Sequence, residues 1–148
     1  MDSTRTLAIL KPDCMQRKLA GKVIDHLFQQ GFIPVALKLV KLNTTSAGAF
    51  YSVHKERAFF KDLLAFMTES PVLVMVLEKE DAVSALRTVI GATDPAEAAD
   101  GTVRKLYAEN KQRNIIHASD SVDNAGKEIA FFFSGKELIN ITGAGYDR

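Results

Sequence analysis

The sequence predicts an α/β (α+β) chain, a ferredoxin-like βαββαβ sandwich. Its features are a four-stranded antiparallel sheet with helices packed on it, an inserted helical hairpin, and a long loop before the last strand. Three observations predict this. Four apolar strand candidates alternate with amphipathic helices in the order β-α-β-α-β-α-β. Pro71 to Leu77 is an unbroken hydrophobic run, as a strand covered on both faces requires. No internal repeat, low-complexity tract or linker divides the 148 residues, so 1–148 is expected to form a single domain burying roughly two thirds of its unfolded surface.

Hydrophobic residues make up 47% of the chain and charged residues 25%, a composition that excludes disorder as the main state. A net charge of +1 supplies no field that would make nucleic acid or an anionic membrane an obligatory partner, so any anion must be held by local clusters. Cys14 is the single cysteine, which excludes an intrachain disulfide and a cysteine-based metal site. No signal segment follows Met1, and no apolar run approaches the roughly 20 residues that span a bilayer. The expected location is the cytoplasm.

Thr6 to Leu10 reads as a central strand stopped by Pro12, which lacks an N–H for the ladder. This puts Lys11 at a strand end, either as a solvated lysine or as a group aimed into a site. Leu19 to Gln30 is an amphipathic helix with Val23, Ile24, Leu27 and Phe28 on one face and Gly31 as its stop. Phe32 to Leu42 alternates through Ile33, Val35, Leu37 and Leu39, the pattern of a strand with one buried face.

Asn43 to Ser46 supplies caps and turns, after which Ala47 to Tyr51 and Phe59 to Met67 form a helical hairpin with His54-Lys55-Glu56-Arg57 as its elbow. Phe59, Leu63 and Phe66 have the spacing of a core face, although Phe59 stands beside the basic elbow. Asp81 to Ile90 follows the continuous strand as a helix whose apolar stripe is bordered by Arg87. An arginine there must find an anion or snorkel to water.

Gly91 to Arg113 is long and poor in periodicity, which marks a functional loop, and it carries Thr93, Arg104, Lys105, Lys111 and Arg113. Then comes Asn114-Ile115-Ile116-His117-Ala118-Ser119-Asp120-Ser121, a short strand running directly into helix-capping residues. His117 therefore sits where a strand ends and a helix begins, a junction that favours an anionic group such as phosphate. It is either a histidine at a surface turn or a nucleophile toward phosphorus. The helix from Ser121 to Phe132 has Glu128 next to its apolar stripe, solvated or folded back toward the sheet. The tail from Gly135, with Gly143 and Gly145, reads as loop.

The chain has no Gly-x-x-x-x-Gly-Lys-Ser/Thr phosphate loop, no Gly-x-Gly-x-x-Gly, and no protein-kinase signature set. If it transfers phosphate, side chains must hold that phosphate. The candidates are Lys11, His54, Arg57, Arg87, Thr93, Arg104 and His117, which the topology brings together only if the ferredoxin-like arrangement is right.

From Thr4 to Phe132 the chain resembles the nucleoside diphosphate kinase family. The likeness is carried by Thr6-Leu7-Ala8-Ile9-Leu10-Lys11-Pro12-Asp13, His54-Lys55-Glu56-Arg57-Ala58-Phe59-Phe60, Gly91-Ala92-Thr93-Asp94-Pro95, Gly101-Thr102-Val103-Arg104 and the octapeptide around His117. The resemblance implies a ping-pong exchange. His117 takes the γ-phosphate of a nucleoside triphosphate as phosphohistidine and gives it to a nucleoside diphosphate. An imidazole, with an ordinary pKa near about 6.5, suits the task because its neutral form attacks without first losing a proton. The resemblance further implies that Glu128, assisted by Ser119, aims the ring and that Arg87, Thr93 and Arg104 bind phosphate oxygens. His54 and Arg57 fall on the inner phosphates, Lys11 and Asn114 on the sugar 3′ hydroxyl, Tyr51 at the catalytic end, and the base against Phe59 with Leu63 in the nucleotide site. Stacking on a π-face accepts any base, so broad specificity is implied. Mg²⁺ is expected on the nucleotide phosphates, with no protein metal cage, and the chain is expected to be a homo-oligomer, hexamer or tetramer.

Four departures from the family pattern stand out. Ala118 replaces the glycine that many relatives have after the histidine, Asp100 replaces a proline before Gly101, and Lys105-Leu106-Tyr107 follows Arg104 where Gly-Asp-Phe is common. Lys111 stands where an apolar residue often closes the base slot. The rival readings are a ferredoxin-like RNA-binding module and a silent member of the family. The first would place aromatic residues on the first strand, which has none, and the second would have lost Lys11, Arg104, Asn114 or His117, all of which are present.

Overall fold

The computed structural model describes residues 3–140. Four strands form one antiparallel sheet in the order β2-β3-β1-β4, from β1 (Arg5–Leu10), β2 (Ile33–Val40), β3 (Val72–Glu78) and β4 (Ile116–Ala118). β1 and β3 lie in the middle, as their near-continuous apolar character requires. The α+β sandwich expected from the sequence is the fold observed.

Alternation along the two central strands builds a core on each sheet face. Leu7, Ile9, Val72, Val74 and Val76 pack with α3 (Thr44–Phe50), α4 (Phe60–Met67) and α7 (Val122–Phe132). On the other face Ala8, Leu10, Met75 and Leu77 meet α2 (Ala20–Gln29) and α5 (Ala82–Ile90) through Val23, Leu27, Leu86 and Ile90. Gly31 ends α2 at φ +93°, a conformation that favours glycine. Asn43 starts α3 with a reciprocal cap, its Oδ1 accepting from the Ser46 N–H while Ser46 Oγ accepts from the Asn43 N–H.

Three expectations need correction. The regular alternation read over Phe32 to Leu42 is interrupted, because β2 carries a bulge between Pro34 and Ala36 that shifts its register on β3. Beyond the bulge Ala36, Lys38 and Val40 oppose the core residues Val76, Val74 and Val72, while Leu37 and Leu39 turn outward and are 42% and 62% exposed. Lys38 manages its inward position by laying its ammonium 4.7 Å from the Phe133 ring centroid and bonding Glu137.

The loop Gly91 to Arg113 is not structureless, because Thr102 caps a short helix, α6 (Val103–Tyr107), by accepting from the Lys105 N–H. Likewise Pro12 does more than stop β1: it opens α1 (Pro12–Gln16), where the missing N–H costs nothing. Both helices are five residues long, too short for a period to register. The tail after α7 begins with a 3₁₀ turn, Gly135–Glu137, and the loop reading at Gly143 and Gly145 lies outside the described residues.

Candidate active site

His117 is the middle residue of β4, paired in register with Ile9 of the central strand, so its backbone is fixed by the sheet. Its ring is fixed by side chains. Nε2 lies 2.9 Å from Oε1 of Glu128, and the same oxygen accepts a 2.7 Å hydrogen bond from Ser119 Oγ. An ionised carboxylate accepts and cannot donate, so Nε2 carries the proton and the lone pair resides on Nδ1. The rings of Phe50 and Tyr51 meet the imidazole edge-on, with centroids 5.5 and 6.1 Å away.

This histidine faces a cleft of about 790 Å³. Of the residues singled out in the sequence, Lys11, Tyr51, His54, Phe59, Leu63, Arg87, Thr93, Arg104, Asn114 and Glu128 line it together with His117. They arrive from β1, the hairpin elbow, α4, α5, the long loop and α7, so the ferredoxin-like topology does gather them. Ser119 lies fully buried behind Glu128 rather than on the wall. Arg57 is exposed on the elbow and is not part of the wall. Phe50, Asp120, Asn124 and Lys127 line the cleft and were not anticipated as site residues. Asn124 and Lys127 sit three and six residues after the Ser121 cap, a helical spacing visible in sequence but without a chemical signature.

Lys11 and Asn114 are joined by a 2.7 Å bond from Nζ to Oδ1, and the Asn114 amide nitrogen donates to the carbonyls of Thr93 and Lys111. Burial, with Arg104 nearby, lowers the Lys11 pKa to about 8 against the pull of Asp13. Arg104 is an anchor as well as a cation. Nε, Nη1 and Nη2 donate to the carbonyls of Asn114, Gly91 and Ile116, tying three segments together. Burial and the neighbouring Arg87 bring its pKa down to about 10, so it stays charged at neutral pH. Arg87 is exposed on the rim, 3.5 Å from the Ala118 carbonyl, and so resolves toward the cleft rather than the core. The Tyr51 hydroxyl is buried without a hydrogen-bond partner, and burial, followed by the Glu128 charge, pushes its pKa up.

The balance of charge on the wall is cationic, with Lys11, Arg87, Arg104, Lys111 and Lys127 against Asp120 and Glu128. A cleft of this kind takes a polyanion, and Phe59, 48% exposed, offers a flat apolar surface at its mouth. Fold and cleft together define a protein that binds an anionic ligand of small-molecule size beside a histidine.

Comparison with known proteins gives the family. The nucleoside diphosphate kinase family model matches residues 4–138. The nucleoside diphosphate kinase of Chlorobium chlorochromatii is 58% identical over 135 residues, 91% of this chain and 96% of that one. That of Chlorobaculum parvum is 56% identical over 137 residues, 93% and 98% of the two chains. Among solved structures, the Aquifex aeolicus nucleoside diphosphate kinase superposes with a TM-score of 0.90 at 45% identity, covering 92% of this chain and 99% of that one. The Halobacterium salinarum enzyme in complex with CDP gives 0.90 at 36% identity, covering 99% and 95%. The chain belongs to the nucleoside diphosphate kinase family, and its activity is the phosphotransfer of that family.

Proposed function

We propose that phosphate passes between nucleotides through His117. The Nδ1 lone pair attacks the γ-phosphorus of a bound nucleoside triphosphate, a P–N bond forms, and the bond to the β–γ bridging oxygen breaks with its electron pair leaving on the diphosphate. A terminal oxygen of a second nucleoside diphosphate then attacks the same phosphorus, and the P–N electron pair returns to Nδ1. The proton on Nε2 stays throughout, facing Glu128, whose charge offsets that of the imidazolium. The observation that carries this reading is the hydrogen bond that commits Nε2 to Glu128 while His117 lines a cationic cleft.

The remaining roles are those that membership of the family implies. Arg87, Thr93 and Arg104 hold the outer phosphate oxygens, where charge accumulates in the transition state. His54 on the wall and Arg57 on the adjoining elbow serve the inner phosphates. Lys11 and Asn114 bond the sugar 3′ hydroxyl, the Tyr51 hydroxyl serves the catalytic end, and Phe59 with Leu63 takes the base without reading its edges.

No cluster of three or more His, Cys, Asp or Glu able to cage a metal occurs among the described residues, and the wall acids Glu128 and Asp120 already accept bonds from Ser119 and Asn124. This donor set fits Mg²⁺ held by nucleotide phosphates and water rather than by the protein. Bound there, Mg²⁺ would neutralise phosphate charge.

The proposal extends to one domain over 1–148 and a cytoplasmic homo-oligomer, hexamer or tetramer. The outward Phe28, Leu37 and Leu39 support association with further copies, and no described helix is long and apolar enough to cross a membrane. Sedimentation tests the assembly. Incubation with γ-labelled ATP and no acceptor tests the chemistry. Acid-labile, alkali-stable label that chases onto GDP or CDP and is absent in His117→Ala is expected; label undiminished in that variant sinks the mechanism.

A further inference from the structure

The backbone that delivers His117 to the cleft is strained two residues earlier. Ile115 has φ +78°, a conformation that a β-branched residue rarely adopts, and its side chain is fully buried. The Ile116 N–H donates to the Asn114 carbonyl at 2.9 Å, closing a three-residue turn with Ile115 at its centre. Asn114 enters that turn and His117 follows its exit.

Both peptide groups of Ile115 are held by one short segment. Its carbonyl accepts from the Lys11 N–H at 2.9 Å, and its N–H donates to Oδ2 of Asp13 at 3.0 Å. Asp13 is 1% exposed, and its other oxygen is buried with no hydrogen-bond partner. A half-satisfied buried carboxylate is costly, as is a left-handed isoleucine. Asp13 stands in the first turn of α1, where an acid is favoured, and from there its carboxylate reaches across to the backbone before β4. The two meet in a single hydrogen bond spanning 102 residues.

We propose that Asp13 is a positioning residue for phosphotransfer, holding Ile115 in its left-handed turn and thereby setting Asn114 and His117 in register with each other across the cleft. Asp13 is absent from the cleft wall. Its effect passes through the backbone. The proposal rests on the phosphohistidine reading above, so its test carries a readout that needs no nucleotide.

The variants are Asp13→Ala, Asp13→Asn and the double variant Asp13→Ala with Ile115→Gly. The first readout is the rate of His117 phosphorylation in a single turnover at saturating ATP, with KM measured alongside. The second is the tautomer of His117, read from ¹⁵N chemical shifts of histidine-labelled protein without ligand. Asp13→Ala is expected to slow phosphorylation by about 10- to 100-fold, the order expected for a displaced reacting atom, with KM changed less than threefold. The Nε2–H form is expected to give way to a mixture. Asp13→Asn keeps an acceptor for the Ile115 N–H and is expected to stay within about threefold of wild type. The glycine in the double variant accepts a positive φ without a Cβ, and is expected to restore most of the rate and the single tautomer.

Wild-type phosphorylation and a single tautomer in folded Asp13→Ala overturn the proposal, as does a double variant that folds as stably as the single one and is no faster. Should Asp13→Ala fail to fold, Asp13→Asn decides, since loss of phosphorylation there shows that charge rather than the acceptor matters and overturns the proposal. Absence of label on wild-type protein defeats the phosphohistidine reading, and the tautomer data still report whether Asp13 orders the ring.

Discussion

Nε2 of His117 stands 2.9 Å from Oε1 of Glu128, eleven residues further along the chain and on a different element. The same carboxylate oxygen also takes the Ser119 hydroxyl, so the group that aims the histidine is itself aimed. An imidazole held this way has one ring nitrogen committed to the carboxylate.

Glu128→Ala should therefore lower kcat by about 10- to 100-fold, the usual scale for losing an orienting group, with little change in nucleotide KM. Glu128→Gln retains an acceptor oxygen and should fall between the two. Steady-state kinetics with ATP and a nucleoside diphosphate checks this; a KM effect without a kcat effect would place Glu128 in binding.

Lys11 gives the alkaline limit. Below about pH 8 its ammonium is charged in folded and unfolded chains alike, and the cost of burying it stands in full. Between pH 8 and the ordinary 10.5 the unfolded chain binds the extra proton, so this group's contribution to stability rises with pH across that window. On the proposed role of Lys11 at the sugar hydroxyl, activity runs the other way, because its charge is lost. The kcat/KM profile, which reports the free enzyme, should fall with an apparent pKa near 8, and Lys11→Arg should move that limb beyond about pH 10. An unmoved limb assigns it to another group.

Arg104→Lys should be damaging even without substrate. A lysine carries one nitrogen where three separate guanidinium nitrogens now satisfy the carbonyls of Gly91, Asn114 and Ile116. Urea denaturation should show a loss of about 2–4 kcal/mol, alongside a raised KM.

Gly91→Ala tests the same junction from the other side. Gly91 has φ +92°, and a Cβ there would lie 2.5 Å from Thr102 Oγ1, the cap of α6. A loss of about 1–3 kcal/mol in the same denaturation experiment is expected.

Phe59→Ala removes a half-exposed ring and should leave the midpoint of unfolding nearly unchanged. KM for ADP, GDP and CDP should rise by similar factors, corresponding to about 1–3 kcal/mol for a lost stacking surface. Unequal rises would mean that base edges are read, with Lys111 on the same cleft wall as the first group to examine.

By itself the sequence determined the elements whose signals are local. Apolar runs gave β1 and β3, a 3.6-residue period gave α2, α5 and α7, and Gly31, Asn43 and Ser121 marked where helices stop and start, because capping is a property of one turn of chain. The motif residues also made the cleft's composition legible, including Phe59 and His117. Tertiary structure decided what depends on pairing across the chain. The bulge after Pro34 exists only in register with β3 and sends Leu37 and Leu39 outward against their sequence pattern. Five-residue helices such as α1 and α6 leave no period to detect, and Phe50 carries no catalytic signature until its ring is seen against His117. Above all, the Lys11–Asn114 bond and the Asp13 grip on Ile115 join residues more than 100 positions apart. No local preference encodes a left-handed isoleucine, and only the packed sheet makes it the conformation that precedes His117 on the cleft wall.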